Sequence, residues 1–438
     1  MSKNLFKIII FSLILSNLNN GIHPEKIKQK KPWNFMVYIT RNNDLFPFAA
    51  LNIEQMKKVG SNKNVNILVQ QDVYGKEESK RIFIEKDKQT EIEKVTTRPE
   101  CISGTPESLY SFVEWAIKNY PAEKHALILW DHGSGIVDID IWKNIFKFNP
   151  LALYKINIET GLFELNRELL SKRGICFNEI FEVYLNNQEL KETLKKVSEN
   201  LLKNKKLDVL AMDACNMNML EVASQVKDYV KYMVGSEEAE PGTGWNYELV
   251  LEPFKNKTQT TEEFSKNIVT SYQKHYEKSY VDFTQSAINL EKINLLENNI
   301  DQIAKQLILL LKSKSNKKIC KNINKLLRNR LKTTWFANPD YIDIHHFFVS
   351  MHEMTSKMLK IKENKDIKKE LEKINQLTKI GTEIIKDLVI AKTFCSSLPF
   401  VQGLAFYFPT RRIHKSYPKT DFAKSNSWYN FLKTYLEK

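Results

Sequence analysis

The stretch that decides the fold is residues 207–217, LDVLAMDACNM. It begins as a short apolar run through Leu207, Val209, Leu210, Ala211 and Met212, interrupted only by Asp208. Such a run suits a strand buried on both faces of a parallel sheet better than one with a wet face. It stops in small and polar residues, Asp213-Ala214-Cys215-Asn216. In an open parallel sheet, ligands bind beyond the carboxyl ends of the strands. Cys215 stands at such an end with an acid two residues before it, a place for chemistry rather than packing.

Residues 125–135, HALILWDHGSG, repeat the plan. An apolar run over 126–130 ends in Asp131-His132-Gly133. Two such strands side by side would deliver His132 and Cys215 to one rim. A thiol reacts as the thiolate and needs a base or a positive neighbour to form it. Alone, a cysteine is usually a small buried hydrophobe. A cysteine and a histidine at two strand ends, each beside small residues, form a candidate pair.

The rest of the chain supplies the frame. Strands are predicted at 33–40 (WNFMVYIT), 65–70 (VNILVQ), 232–236 (YMVGS) and 283–290, with a short edge or hairpin strand at 80–85. The polar turn Arg41-Asn42-Asn43-Asp44 follows the first strand. Helices are predicted at 45–59, 105–119, 187–204 and 217–230. The second opens with Thr105 as N-cap and Pro106 at its first position. Strands alternating with helices predict an α/β fold, a mostly parallel sheet with helices on both faces. Residues 136–172, rich in aromatics and lysines, break the rhythm and read as an insertion over the rim. Residues 291–438 read as an appended, largely helical region with a late strand at 403–408 and a terminal helix from about 421. Ile303, Leu307, Leu310 and Leu311 have the spacing of core packing. Adjacent His345 and His346 point in different directions on a helix, which argues against a metal site there.

At 438 residues the chain can bury a large core and form more than one domain. Its net charge of +14 raises nucleic acid or an anionic membrane as partners. The lysines, however, are scattered through amphipathic segments, as on a solvated surface, and nucleic acid is not expected as a partner. No zinc-finger spacing, Walker loop or GxGxxG is present. Cys101, Cys176, Cys215, Cys320 and Cys395 are too scattered for a disulfide framework, and no CxxC suggests zinc. No cofactor and no metal are predicted. At the N-terminus, Lys3 and Lys7 flank the start of an apolar run at 8–15 (IIIFSLIL). The run is too short to span a bilayer but fits a secretory signal. Residues 1–20 therefore read as a cleaved signal peptide, with a retained short membrane anchor as the alternative, and 21–32 as a linker.

LILWDHGSG around His132 and LDVLAMDACNM around Cys215 resemble the clostripain-like cysteine peptidases, relatives of caspases, gingipains and legumain. WNFMVYITRNNDL, NVNILVQQD, WAIKNYPAEKHALILWDHG, GSEEAEPGTGWNY and GLAFYFP resemble the same family in the same order, over roughly residues 33–435. The resemblance implies a caspase-like catalytic domain at 33–290, with the helical region 291–438 packed on it. It implies a peptidase that cuts polypeptides after arginine or lysine; the N-terminal segment adds the expectation of a secreted or periplasmic protein, and a monomer is expected. Cys215 matches the nucleophile, His132 its partner, and Asp213 the acid of the specificity pocket. The amides of Gly133 and Cys215 match the oxyanion site, Gly133 permitting close backbone approach and Cys215 standing before a helix whose first amides favour negative charge. For Asp213 a helix N-cap is a competing role, and both can hold. Ser236 and Glu237 match the strand that lines an extended substrate, and Glu237 or Glu240 would add negative charge.

Two expectations are specific to this chain. The 136–172 insertion departs from the family, and Lys143, Lys147, Lys155, Arg167, Lys172 and Arg173 offer self-cleavage sites that would uncover the cleft. Calcium is implied only by the resemblance, since no DxDxDG loop is present. The competing readings are an inactive caspase-like binding or regulatory protein with an occluded cleft, and a nucleic-acid or membrane-surface protein whose binding collapses with salt.

Overall fold

The computed structural model describes residues 30–136, 154–156, 163–165 and 174–437. The apolar segment read as a signal lies outside them, as do the candidate cut sites of the insertion other than Lys155.

A nine-stranded sheet forms the centre. Its parallel middle consists of β2 (Val65–Asp72), β1 (Lys31–Ile39), β5 (Ala122–Trp130), β10 (Leu207–Asp213) and β11 (Val230–Gly235), in that spatial order. Parallel neighbours need a crossover. Helix Phe46–Lys57 lies between β1 and β2, and helix Leu220–Val226 between β10 and β11. Antiparallel strands close both flanks: β3 (Ser79–Glu85) and β4 (Lys88–Val95) on one, β12 (Thr284–Asn289) and β14 (Val389–Phe394) on the other. The fold is thus α/β, a mostly parallel sheet flanked by helices, with helices also dominating the C-terminal region.

Alternation along each strand divides its side chains between two cores. Tyr38, Leu129 and Met212 join one core, while Val37, Ile128 and Ala211 join the other. Helix Pro106–Asn119 packs on the first face, with Thr105 capping it through a bond from Ser108 N–H at 3.2 Å. Helices Tyr247–Leu251 and Thr261–Tyr276 pack on the second. The first core continues into Leu296, Phe347, Phe406 and Trp428, so the C-terminal region shares its interior with the sheet.

Several predicted elements differ. Of the two roles open to β3, edge or hairpin, it takes the hairpin one, with β4 pairing outside it. The sequence of β4, KQTEIEKV, is mostly exposed and half of it is charged, as suits an outer strand that must not recruit another. It therefore carries no apolar alternation to detect. β14 follows directly on helix Lys368–Leu388 and is hidden in a region of helical pattern. The late strand is shorter than predicted. As β15 (Ala405–Tyr407) it pairs with β13 (Tyr341–Asp343) in a small separate sheet. The terminal helix divides into Asp421–Ser425 and Trp428–Leu436. Two short paired strands, β6 (Tyr154–Ile156) and β7 (Phe163–Leu165), lie within the insertion, and β8 (Ile175–Asn178) and β9 (Val183–Leu185) follow it.

The C-terminal region also braces the rim. Tyr341 donates through its hydroxyl to the Ser134 carbonyl at 2.7 Å, and Asn218 donates through Nδ2 to the Gly403 carbonyl at 2.9 Å. Those contacts hold the segments that follow His132 and Cys215.

Candidate active site

Register alone assembles the rim. Ile39 of β1 lies opposite Trp130 of β5, and Trp130 lies opposite Asp213 of β10. The segments leaving these three strands therefore emerge together. They carry Asp44, His132 and Cys215. His132, Asp213, Cys215 and Glu240 line one cavity of about 20 Å³, with Leu45 and Trp130 among its walls. A single water needs roughly 10–15 Å³ measured this way. The cleft is therefore closed to anything much larger.

Cys215 is only 5% exposed. Its Sγ accepts the Glu240 backbone N–H at 3.2 Å. Burial first, opposed by that bond and aided by the charges of Glu240, Glu238 and Asp213, pushes the thiol up to about 12. In this closed state the sulfur keeps its proton. Gly133 packs directly on the Cys215 turn, where an added Cβ would lie 2.5 Å from the Cys215 carbonyl oxygen. Only glycine permits this approach.

His132 Nε2 lies 2.6 Å from Asp44 Oδ1. Burial alone would lower the imidazole, but Asp44, Asp131 and Glu179 more than offset it, and the net shift is upward. Asp131 itself is pushed well up by burial and bonds Asn43, so Asp44 is the carboxylate that faces the ring. Sequence reasoning saw only a polar turn at 41–44. The detectable signal was the position of that turn, at the end of the strand adjoining β5.

Asp213 falls on the same face as Val209 and Ala211 and meets Tyr247, whose hydroxyl donates to its Oδ2 at 2.8 Å. The Trp245 amide donates to the same oxygen at 3.3 Å. Asp213 and Glu240 also bond each other. Burial pushes Asp213 up to about 6. Glu240 goes well above its usual range through burial and then the Asp213 charge. Two buried carboxyl groups in contact hold one proton between them. Glu240 also accepts from Trp245 Nε1 at 3.1 Å and Gln285 Nε2 at 3.2 Å. Gly244, at φ +62°, comes so close that a Cβ there would sit 2.8 Å from Asp213 Oδ1.

Two expectations about this region are corrected. Asp213 caps no helix, since the next helix begins at Leu220 and its cap residue is Met219. The Gly133 and Cys215 amides consequently lie on turns rather than at a helix head. The turn after Cys215 is set by Asn216 at φ +57°, whose amide donates to the Glu238 carbonyl at 3.1 Å. Ser236 and Glu237 lie behind the site. Ser236 Oγ donates to the Glu238 carbonyl at 2.8 Å, and the Glu237 carboxyl faces Asp343. Of the acids considered in this loop, Glu240 reaches the cavity.

Asp343 Oδ1 accepts the His346 amide at 2.7 Å, which fixes the start of helix Ile344–Leu359. Among the described residues no group of three or more His, Cys, Asp or Glu is placed to hold a metal ion. None of the five cysteines is bridged. Among the described residues no helix is long and apolar enough to cross a membrane.

Comparison with known proteins places the chain in a family. The clostripain family model matches residues 37–144 and 161–434. Clostripain from Hathewaya histolytica is 27% identical over 165 residues, which are 36% of this chain and 26% of that protein. The aligned part thus spans about a quarter of that relative's length. A secreted C11 cysteine protease from Bacteroides thetaiotaomicron, solved with an irreversible peptide inhibitor, shares the fold at a TM-score of 0.59 and 18% identity, covering 92% of this chain and 99% of that one. An inactive zymogen C11 protease from Parabacteroides distasonis superposes at 0.56 and 16% identity, covering 93% and 99%. With most of its length matched by the family model, the chain belongs to the clostripain family of cysteine peptidases.

Proposed function

We propose that this protein is a cysteine endopeptidase that cuts after arginine or lysine through Cys215 and His132. The observation that carries this reading is one small cavity lined by the thiol, the imidazole and the two buried carboxyl groups of Asp213 and Glu240. Those carboxyl groups are bonded by Tyr247, Trp245 and Gln285, all neutral. An arginine fork entering the pocket would displace their shared proton and gain charged hydrogen bonds, and a lysine would gain fewer.

The reaction follows from the residues. When the Glu240 loop lifts from Sγ, the burial that keeps the thiol protonated ends, and the thiol gives up its proton to solvent. The ionised sulfur attacks the scissile carbonyl carbon, a C–S bond forms, and the oxygen takes the electron pair opposite the Gly133 and Cys215 amides. His132 gives its proton to the departing amine as the C–N bond breaks. Water then adds to the thioester and yields a proton to His132. The C–S bond breaks, the acid leaves, and the sulfur is regenerated.

Cleavage of fluorogenic peptides that differ only in the residue before the cut tests the proposal directly. Arginine and lysine peptides are expected to be turned over, and a norleucine peptide is not. Pocket occupancy should also depend on pH. Asp213 titrates at about 6, and only its ionised form binds a cation. A benzamidine inhibitor is therefore expected to bind about tenfold more tightly at pH 7 than at pH 5. Inhibition constants across that window check it, and a flat profile would remove Asp213 from the pocket.

Access to so small a cavity requires a prior event. The insertion at 136–172, with its six basic candidates, is the proposed site of self-cleavage. Fragment masses should show a cut in the wild type that is absent in Cys215→Ala. Identical intact chains in both would reject self-cleavage and favour the second reading, an inactive binding protein with an occluded cleft. The apolar N-terminal segment fits export, where polypeptide substrates would be met outside the cytoplasm.

A further inference from the structure

We propose that Asp44 is a positioning residue for His132, completing an Asp44–His132–Cys215 relay. This rests on the peptidase reading and deepens it. The geometry is that of a built contact. Asp44 Oδ1 lies 2.6 Å from His132 Nε2, and the two side chains are only 11% and 10% exposed. The turn that carries Asp44 is pinned on both sides. Before it, the Arg41 amide donates to Asp72 Oδ2 at 3.0 Å. Within it, Asn43 Nδ2 donates to Asp131 Oδ1 at 2.5 Å and to the Phe177 carbonyl at 2.9 Å, and Asn43 Oδ1 accepts the Leu45 amide at 3.0 Å. Four contacts from β2, β5 and β8 and from the turn itself thus set where the carboxylate can go.

A carboxylate on one ring nitrogen fixes the rotation of the imidazole and its tautomer. Proton exchange with substrate then runs through Nδ1. The groups that act on the ring are Asp44, Asp131 and Glu179, with Cys215 lining the same cavity. Burial pushes the Asp131 carboxyl well up, against the His132 charge and the bonds from Asn43 and Phe177, and Asp131 acts on the ring less than Asp44 does. Glu179 acts at longer range, as the last and smallest contributor. The Asp44 carboxylate thus favours the imidazolium form of His132 against the burial that opposes it. That form attracts a thiolate and holds the proton that the leaving amine needs.

The test uses the full chain with Asp44→Asn, which keeps the shape and removes the charge, and Asp44→Glu, which keeps the charge and moves it by one methylene. For an arginine peptide, kcat in Asp44→Asn is expected to fall about 10²-fold with KM nearly unchanged. Asp44→Glu should recover part of the loss. The alkaline limb of the rate profile should move down by about one pH unit. A merely structural role would lower the active fraction and leave that limb in place. Independently of turnover, the His132 imidazole is followed by NMR in Cys215→Ala. It should titrate above the ordinary histidine value there and fall below that position when Asp44→Asn is added. Wild-type kcat in Asp44→Asn, or an unmoved His132 titration, overturns the proposal. Absence of any Cys215-dependent cleavage in the wild type would instead reject the peptidase reading, while the titration would still report on the Asp44 contact.

Discussion

Cys215→Ala is expected to lower turnover of an arginine peptide by at least about 10⁴-fold, to the background set by substrate binding alone. No neighbouring side chain can take over. The other side chains lining the Cys215 cavity are carboxyl groups, an imidazole or apolar. Cys215→Ser should be nearly as inactive. A hydroxyl is far harder to ionise than a thiol, and an imidazolium held by Asp44 cannot serve as its base. The fold should survive, because the substitution removes one buried atom and two weak bonds, one from Glu240 N–H and one to the Glu240 carbonyl. A stability change within about 1 kcal/mol is expected. Thermal melts beside initial rates separate the two effects. Residual activity above a percent in a correctly folded Cys215→Ala protein would place the chemistry elsewhere.

The sequence carried the backbone of this site because strand ends are legible and parallel registers are predictable. The runs at 126–130 and 207–212 are apolar on both faces, and a strand of that kind lies centrally in a sheet with its loops at one rim. His132 and Cys215 followed from that, while the role of Asp213 came only from the family resemblance. Side-chain direction over a turn did not follow. Residues 235–242 carry Glu237, Glu238 and Glu240 almost in succession. Only the folded loop, with Thr284 Oγ1 binding the Glu237 and Glu238 amides at 2.9 and 3.0 Å, sends Glu237 to Asp343 and Glu240 to the cavity. Asp44 was hidden differently, since its partner lies 88 residues away and meets it only through the β1–β5 register. β4 and β14 were missed because a charged outer strand and a strand abutting a long helix lack the alternation that marks half-buried strands.

Asp213→Asn should separate specificity from stability in opposite directions. For arginine peptides, loss of the carboxylate removes one partner of a desolvated charge pair, worth roughly 2–5 kcal/mol and so about 30- to 5,000-fold in kcat/KM. Peptides with a neutral residue before the cut should be affected far less, because Cys215 and His132 remain in place. Stability should respond with the other sign. Folding raises Asp213 from the ordinary 3.8 to about 6, so the folded state holds the extra proton between those values. Stability from this group is complete below about pH 4, falls as pH rises toward 6, and is lost above it. At pH 7.5 the native protein therefore bears a buried charge that the asparagine variant lacks. The amide keeps the acceptor for the Tyr247 hydroxyl and offers Nδ2 to Glu240, so no polar group is stranded. An increase in unfolding free energy on the order of 1–3 kcal/mol is expected at pH 7.5, shrinking toward zero at pH 4. Denaturant midpoints at the two pH values give the difference, and kcat/KM for paired arginine and norleucine peptides gives the specificity. A variant that loses stability at pH 7.5, or that loses arginine and norleucine cleavage equally, would show Asp213 to be a packing group of the strand end rather than the acid that receives the substrate's cation.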